Sequence, residues 1–564
     1  MITRWLVRAV LRSVDGRLRV APLLRRGLAK VFPDHWAFML GEIALYSFVT
    51  LVLTGVYLTL FFEASTVETT YTGSYAPLDG ARTSAAYAST VRLSFDVRAG
   101  LLMRQTHHWA ALLFVAAIVL HLLRIFFTGA FRRPRGINWV IGVTMLALAL
   151  FNGFTGYSIP DDLLSGIGLR ILYSVAQSIP VVGEWLVFLA FGGEFPSDDA
   201  VPRMFVTHVL LVPAALAVLI AAHLGILVRQ KHSQFPGPGR TENNVVGSRF
   251  WPAYTIRTLA LFAWVFAVLF GLGGLAQINP IWIYGPYDPA QATSPAQPDW
   301  YIIWGDGALR LFPGVDFDIA GHLVPAPFWP GIVLGGLTFA GLYLWPLLER
   351  LAGADRRAHE LLDRPREHPV RVGVGVAVLT FFAVLLVAGS DDVIAKLLKV
   401  PVLDVLSVLR VVALAAPVPA GLCGYLAARA LRANGGRGIG ELTRRDLRAA
   451  PQQRTGPGER DASAAPAGPL DGADGRVELW RDPDGTWRWR YRSGEVTLTA
   501  NLAYLSREEA ERSATTAYRR APVVAVEPPV PAVATAARRT ARRAAPVGGW
   551  LALLAIGTWR RRRR

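Results

Sequence analysis

The sequence predicts an all-α, polytopic membrane protein with eight transmembrane helices and a polar C-terminal extension. Two observations predict this fold class. Hydrophobic residues make up 52% of the 564 residues and charged residues only 18%, which is more apolar than is usual for a soluble chain of this length. Several apolar runs also approach or exceed the roughly 20 residues that an α-helix needs to cross a bilayer.

Eight apolar runs are long enough to be spanning helices. They cover about 36–62, 104–127, 138–158, 203–228, 256–276, 328–348, 370–389 and 403–431. The last run is interrupted by Pro417 and Pro419, which a membrane helix can accommodate as a kink.

The distribution of basic residues predicts the orientation. The N-terminal segment and the even-numbered connections, which are 1–35, 122–138, 224–257 and 349–371, contain 23 Lys and Arg residues. The connections 63–99, 159–202, 276–327 and 390–405 contain 7. Basic residues accumulate on the cytoplasmic side, so both termini are predicted to be cytoplasmic. The net charge of +18 then reflects topology and does not indicate nucleic-acid binding.

Four segments follow from this pattern: a basic cytoplasmic segment 1–35, a four-helix bundle 36–230, a C-terminal membrane domain 231–431 and a polar cytoplasmic tail 432–564. Within the tail, 477–519 alternates like a small β-unit followed by a helical stretch. Cys423 is the one cysteine, which excludes a disulfide framework, an iron–sulfur site and covalent haem attachment within this chain.

Four histidines form the main candidate site. His107 and His121 have an i, i+14 spacing on the second predicted helix, and His208 and His223 have an i, i+15 spacing on the fourth. Each spacing separates the side chains by roughly 21–22 Å along the helix and keeps them about 40° or about 60° apart in azimuth. Two levels, each with one histidine from each helix, are the arrangement that two stacked bis-imidazole haems require. His108 points about 100° away and is interpreted as a packing residue.

Four glycines repeat the spacing of the histidines on the second helix. Gly41 and Gly55 are an i, i+14 pair on the first helix, and Gly142 and Gly156 are another on the third. Because glycine lacks a side chain, it lets a planar macrocycle approach the backbone. Small residues also serve helix packing in membranes, so the glycines support the haem interpretation without carrying it alone.

Three arginines lie three to five residues from a histidine and are candidates to pair with haem propionates. They are Arg104, Arg124 and Arg203. Anchoring at a membrane surface is the alternative, although Arg104 and Arg203 fall on the predicted external side, where the positive-inside rule does not require them.

Residues from about 31 to 431 resemble the cytochrome b subunit of respiratory cytochrome bc complexes, in its actinobacterial form. The resemblance rests on the run RQTHHWAALLFVAAIVLHLLR at 104–124, GYSIP at 156–160, Pro213 between the histidines of the fourth helix, and PDWY at 298–301. It implies that His107 and His208 bind a low-potential haem b, and that His121 and His223 bind a high-potential haem b. The i, i+15 spacing is similar to that of the cytochrome b6 branch, but the chain has no cysteine near the first helix, so a third, covalent haem is not expected.

The resemblance also implies a quinol-oxidation site at the PDWY motif. Asp299 stands where many relatives have Glu, and a carboxylate there could accept a quinol proton, with Tyr301 and Tyr157 as hydrogen-bonding neighbours. The alternative is that Asp299 caps a short helix. The sequence indicates the cytoplasmic quinone site less clearly. His35, Arg229 and Lys231 fall at a suitable depth, but anchoring of basic residues at the membrane surface explains them as well.

The family further implies a quinol–cytochrome c oxidoreductase that works by a quinone cycle in the plasma membrane, with menaquinol as substrate. Its expected partners are a Rieske iron–sulfur subunit, a cytochrome c subunit and a terminal oxidase, in a dimeric complex. Two other classes also place histidines in a membrane: the di-haem anchors of dehydrogenases or ferric reductases, and transporters that relay protons through histidine. Purified protein that shows no b-type absorption would favour the transporter.

Overall fold

The structure is a computed structural model that describes two stretches of the chain. They are 27–434, apart from 295, 320 and 354–356, and 475–527, apart from 483–484, 494–495, 500–503, 505 and 519–520. The chain divides into two compact units, Met1–Arg448 and Ala449–Arg564. Most of the basic segment 1–35 and much of the polar tail 432–564 lie outside the described residues.

Seven helices in the described part of the first unit are long and apolar enough to span a membrane, and there are eight if a bent pair is counted as one span. The seven are Trp36–Thr59, Gly100–Phe127, Gly136–Ser158, Ala200–Gln230, Phe250–Leu275, Trp329–Gly353 and Pro369–Ala388. The pair Val402–Ala415 and Pro417–Ala433 bends by 41°, where the prolines predict a kink. The predicted fold class is confirmed.

Several helices begin before the apolar run that predicts them. The second begins at Gly100 and the fourth at Ala200, whereas the apolar runs begin at about 104 and 203. Hydropathy detects only the part of a helix that crosses the hydrocarbon core, and the first turn of each helix lies before that part.

Hydroxyl side chains inside the first spanning helix are satisfied by the helix itself. Ser47, Thr50 and Thr54 are buried, and each donates to the carbonyl one turn earlier at 2.7–2.9 Å. This back-bonding satisfies polar groups where no water is present. It also leaves the hydroxyl oxygens free to accept hydrogen bonds from the bundle interior.

The first four spanning helices enclose an apolar core. Buried residues from the first to the fourth helix meet there: Ala44, Phe114, Val115, Ala149, Val212 and Leu216. Tyr301 reaches the same core from a connection. Small residues among the larger ones let the helices pack closely, and the core therefore fixes the relative positions of the histidine helices.

The connections on the predicted external side are folded. They contain the helices Ala85–Phe95, Leu163–Gln177, Gly183–Phe191, Ile281–Tyr284 and Trp300–Leu311, and a further helix, Asp391–Leu398, precedes the last span. Short two-stranded ribbons pair Glu68–Thr70 with Arg82–Ser84 and Phe317–Ile319 with His322–Val324. On the opposite side Val31–Phe32 pairs with Ser248–Arg249.

The described part of the second unit contains a four-stranded sheet and one helix. The strand order is Val523–Ala525, Arg476–Arg481, Trp487–Ser493, Val496–Thr499, with the first pair parallel and the others antiparallel. Helix Arg507–Ala517 contributes Ala510 and Ala514 to the core that Leu479 and Tyr491 form on one sheet face. The strand Val523–Ala525 falls beyond the predicted β-unit because so short a strand cannot show an alternating pattern.

Candidate functional site

The histidine pair at the predicted external level has a separation that would allow both rings to bind one metal ion. The ring centroids of His107 and His208 lie 6.1 Å apart, with the ring planes at 72°. With metal–nitrogen bonds of about 2 Å, two imidazoles on opposite sides of one ion have centroids about 6 Å apart. The predicted pairing of the second and fourth helices at this level is therefore geometrically consistent with axial ligation.

Hydrogen bonds select the tautomer of both external histidines. His208 Nδ1 lies 2.9 Å from the carbonyl of Asn152, and a carbonyl can only accept, so Nδ1 carries the proton. His107 Nδ1 lies 2.9 Å from the hydroxyl of Thr54, whose own proton is donated to Thr50. In both rings Nδ1 is the donor, which leaves the lone pair of Nε2 for a metal ion.

Each predicted glycine lies against one histidine ring. A methyl group built on Gly55 would lie 3.2 Å from Cε1 of His107, and one on Gly41 would lie 3.2 Å from Cε1 of His121. On the third helix, a methyl group on Gly156 would overlap the ring of His208, and one on Gly142 would lie 3.8 Å from His223. In this structure the glycines allow the imidazole rings to approach the backbone of the neighbouring helix. The rings need that space because they lie between the helices.

A π-turn explains the unequal histidine spacings. In the fourth helix, residues Thr207–Leu211 form a π-helical turn, and the amide of Val212 donates to the carbonyl of Thr207. Pro213 follows and has no amide hydrogen. Such a turn absorbs one extra residue, so the i, i+15 spacing here covers the rotation that i, i+14 covers in a regular helix. The offset of about 60° that a regular helix predicts for this pair is therefore wrong.

At the cytoplasmic level the geometry is less complete. His121 and His223 face Gly41 and Gly142 across the bundle. Nδ1 of His121 is buried and has no hydrogen-bond partner among the described residues. This level therefore offers two imidazoles, each beside one glycine, and Nδ1 of His121 lacks the tautomer-fixing contact that the other pair has among the described residues.

The three predicted arginines differ in how far they are already engaged. Arg104 donates to the carbonyl of Asn279 at 3.0 Å, and its Nε is buried without a partner among the described residues. Arg124 lies over the ring of Phe38 at 4.2 Å, and its Nε and Nη2 also lack partners in the described part. Both could still bind carboxylates.

Arg203 is occupied elsewhere. It forms a 2.9 Å ion pair with Asp199, one turn earlier, and donates to the carbonyls of Phe188 and Leu189, at the end of helix Gly183–Phe191. These contacts give Arg203 a role in holding a connection, and they do not support the predicted contact with a haem propionate.

One cavity joins the external histidines to the PDWY motif. Its volume is about 260 Å³, and its lining includes His107, His208, Arg104, Tyr157, Asp299 and Tyr301. Gly55 and Gly156 also line it. The sequence predicts these residues from separate motifs, and the structure places them around a single space.

Asp299 is the polar centre of that cavity. Its Oδ1 lies 2.8 Å from Nε2 of His108, and its Oδ2 accepts a 3.0 Å hydrogen bond from the hydroxyl of Tyr301. Asp299 stands at the start of helix Trp300–Leu311, but among the described residues its side chain makes no capping bond. The geometry therefore disfavours the capping alternative. The interpretation of His108 as a packing residue is wrong, because azimuth on one helix does not reveal a partner from a distant loop.

Burial and the adjacent carboxylate of Asp299 hold the pKa of Tyr301 well above its usual value. Tyr301 therefore remains a hydrogen-bond donor to Asp299 at neutral pH. Tyr157, in contrast, donates to the carbonyl of Leu164 at 3.0 Å, so it lines the cavity without contacting Asp299 directly.

Two further carboxyls follow the GYSIP motif and were missed in the sequence. Burial raises the pKa of both Asp161 and Asp162 to about 6. Asp162 also accepts from the amide of Leu164 as a helix cap. The Asp–Asp pair after a proline was a visible signal for a turn and cap, but its burial could not be read from the sequence.

A second polar group inside the membrane segments was also missed. Glu42, in the first turn of the first spanning helix, accepts hydrogen bonds from the hydroxyls of Tyr254 and Thr258 on the fifth helix. Tyr46 lies beside both Glu42 and Thr258. The signal was an ionisable residue within an apolar run.

Of the residues predicted for this side, His35 caps the turn Trp36–Phe38.

Comparisons with known proteins agree on one family. The profile described as cytochrome b (N-terminal)/b6/petB matches residues 112–286. A protein of Mycobacterium leprae (strain TN) named cytochrome bc1 complex cytochrome b subunit is 52% identical over 384 residues, which cover 68% of this chain and 70% of that protein. Proteins of the same name from Corynebacterium efficiens and Streptomyces coelicolor are 49% and 48% identical over 381 and 378 residues, covering 68% and 67% of this chain and 70% and 69% of theirs.

A solved structure supports the fold independently. A chain of a hyperthermophilic respiratory complex III superposes with a TM-score of 0.55 at 20% sequence identity, covering 74% of this chain and 99% of that chain. At this identity the likeness concerns the fold alone.

Proposed function

This chain belongs to the family of cytochrome b subunits of cytochrome bc1 complexes, and from that membership we propose that it binds two b-type haems and oxidises quinol beside the external one. Membership makes it a multi-pass membrane subunit of an oxidoreductase complex with quinol-linked electron transfer. The observation that carries the finer proposal is the 6.1 Å separation of the His107 and His208 rings, in a cavity that also contains Asp299.

The residues fit two stacked haems. His107 and His208 would ligate the external haem through Nε2, and His121 and His223 the cytoplasmic one. Arg104 and Arg124, with buried N–H groups lacking partners among the described residues, would pair with propionates. When bound, the haems supply one-electron transfer between the two sides of the membrane.

The substrate site would receive a quinol, and we expect menaquinol. Asp299 accepts one proton of the quinol hydroxyl, with His108 and Tyr301 fixing its carboxylate by hydrogen bonds. Asp161 and Asp162, whose pKa values are raised to about 6, are suited to pass protons onward near neutral pH. This release occurs on the external side if the termini are cytoplasmic, as the charge distribution predicts.

The remaining parts of a quinone cycle would come from partners. Cys423 is the one cysteine of the chain, so an iron–sulfur cluster and haem c would be supplied by a Rieske subunit and a cytochrome c subunit. A terminal oxidase, a dimeric complex and the plasma membrane complete the proposal.

Counting haem in the assembled complex tests this proposal directly. We expect two b-type haems per chain by pyridine haemochrome analysis, and quinol-dependent reduction of cytochrome c. One haem per chain, or none, would contradict the two-level assignment, and two haems without quinol oxidation would contradict the substrate assignment.

The π-turn provides a sharper test of the ligand geometry. Deleting Leu210 and replacing Pro213 with alanine removes both the extra residue and the cause of the wide turn. We expect this variant to retain both haems, because a regular helix with the i, i+14 spacing restores the same rotation. Haem content per chain is the measurement.

An insertion of the same size serves as the matched control. One alanine inserted after Ala217 rotates His223 by about 100° relative to His208, and no wide turn follows to absorb it. This variant should lose the cytoplasmic haem. Equal haem content in the two variants would show that the π-turn does not set the register.

Glu42 is the best placed residue for proton uptake on the cytoplasmic side. It follows Gly41, which lies against His121, and its carboxylate accepts from two hydroxyls. In the described part of the chain no cation forms an ion pair with it. A carboxylate held in a membrane segment by hydroxyls alone can exchange a proton with a bound quinone.

Replacing Glu42 with glutamine should therefore slow quinone-driven reoxidation of the cytoplasmic haem by roughly 10-fold or more, with both haems retained. Stopped-flow oxidation of the reduced complex by added quinone measures this rate. Glu63→Gln, which removes an exposed carboxylate paired with Arg92, is the control. Similar rates in the two variants would exclude Glu42 from this role.

A further inference from the structure

The second unit presents one sheet face that is lined with arginine. Residues facing each other on the two central strands share a face, and here Arg476 pairs with Arg492, Glu478 with Arg490, and Trp480 with Arg488. The alternate residues of these strands face the opposite side, where helix Arg507–Ala517 contributes to the core. The two faces therefore differ in chemistry, one apolar and covered by the helix, the other cationic.

Positive charge exceeds negative charge on this face. Glu478, 2% exposed, binds Arg490 at 2.5 Å and Arg476 at 3.0 Å, with Arg492 at 3.7 Å. Burial would raise the pKa of Glu478, but the hydrogen bonds from Arg490 and Arg476 outweigh it and hold the pKa below its usual value. One ionised carboxylate thus serves three guanidinium groups.

The guanidinium groups are accessible. The side chains of Arg476, Arg492 and Arg488 are 58%, 50% and 41% exposed, and Arg488 also contacts Asp482 at 2.7 Å. Arg490 lies over the ring of Trp480 at 5.6 Å. The face is therefore a layer of arginine whose side chains remain partly exposed although some of their nitrogens contact Glu478 and Asp482, and guanidinium donors bind phosphate in a bidentate manner.

We propose that this arginine face docks on the anionic phosphate headgroups of the membrane that the chain itself spans. The last spanning helix ends at Ala433 and the first strand begins at Arg476. An intervening chain of that length reaches at most about 150 Å. Tethering to a membrane-spanning unit raises the effective concentration of a phosphate surface around the sheet.

Single-stranded nucleic acid is the competing phosphate source, and the face is less suited to it. Binding of single strands relies on aromatic side chains on which bases stack. Trp489 and Tyr491 belong to the core on the helix-covered face, and Trp480 is only 4% exposed beneath Arg490. The arginine face offers charge without a stacking platform, which favours lipid headgroups.

A fluorescence experiment on the full chain tests the docking. Cys423→Ala removes the native thiol, and Val524→Cys introduces one on the arginine face, because Val524 pairs with Glu478 and is 44% exposed. A bimane label at this position is read in nanodiscs that contain a nitroxide-headgroup lipid, with or without phosphatidylglycerol. We expect quenching that requires phosphatidylglycerol and is lost at high salt.

Matched double variants locate the effect. Arg476→Gln with Arg492→Gln should reduce the quenching several-fold, whereas Arg481→Gln with Arg507→Gln removes the same charge away from this face and should not. Quenching that is independent of phosphatidylglycerol, or equal in the two double variants, overturns the proposal. A label that responds to single-stranded RNA and not to anionic lipid overturns it too. The salt dependence of the quenching is measured with all arginines of the face intact. It therefore tests the docking even if a double variant fails to fold.

Discussion

Replacing His223 with leucine is expected to remove one of the two proposed b-type haems and to leave the other in place. His223 is one of two imidazoles at the cytoplasmic level, and leucine cannot ligate iron. The external level depends on His107 and His208, whose Nδ1 atoms are fixed by groups on the first and third helices. The haem content per chain should therefore fall by roughly half, as measured by pyridine haemochrome analysis and reduced-minus-oxidised spectra.

His232→Leu is the matched control, because His232 is another buried histidine on the same side, at 8% exposure, and is not a proposed ligand. It should retain both haems. Full haem content in the His223 variant would refute the pairing, and loss of both haems would mean that the two levels assemble only together.

Replacing Asp299 with asparagine is expected to slow quinol oxidation by roughly 10-fold or more, with both haems retained. Asparagine keeps the size of the side chain and can still accept from Tyr301, but it cannot take a proton. The loss should be smaller than the full effect of a general base, because a chain of water molecules can replace part of the proton transfer. Asp299→Glu should keep most activity.

Quinol–cytochrome c turnover of the assembled complex across pH, with haem content in parallel, measures this effect. Asp288→Asn is the control, since Asp288 lies in the same connection and its side chain accepts hydrogen bonds from Ala290 and Gln291 within one turn. If Asp299→Asn matches the parent at every pH, Asp299 shapes the loop and the proton leaves by another route.

Much of the fold and the histidine levels could be predicted from the sequence. A spanning helix requires about 20 apolar residues, and a fixed rise per residue converts the spacing of His107 and His121 into a depth. Both rules are local. They apply to the second and fourth helices without knowledge of the packing, and the pairing of His107 with His208 that they predict agrees with the 6.1 Å separation of the two rings.

What could not be predicted depends on contacts between distant segments or on departures from regular helix geometry. The π-turn before Pro213 changes the rotation of His223 relative to His208, and the i, i+15 spacing alone does not reveal it. The partner of His108 is Asp299, 191 residues away. Glu42 acquires its hydroxyl partners from the fifth helix. The ion pair between Arg203 and Asp199 could have been predicted from their i, i+4 spacing. The sequence did not indicate that Arg203 would form this pair and not contact a haem propionate.

The hydrogen bonds to the histidines bear on how electrons would move against the membrane voltage. In the proposed arrangement, an electron passing from the external to the cytoplasmic level would move against a voltage that is negative inside, at about 2.3 kcal/mol per 100 mV for a full crossing. Donation by Nδ1 to Thr54 and Asn152 makes the external imidazoles more basic, and a more basic ligand favours oxidised iron. His121 Nδ1 has no such acceptor among the described residues. If the two levels hold the proposed haems, this hydroxyl and this carbonyl would help to drive electrons inward against the field.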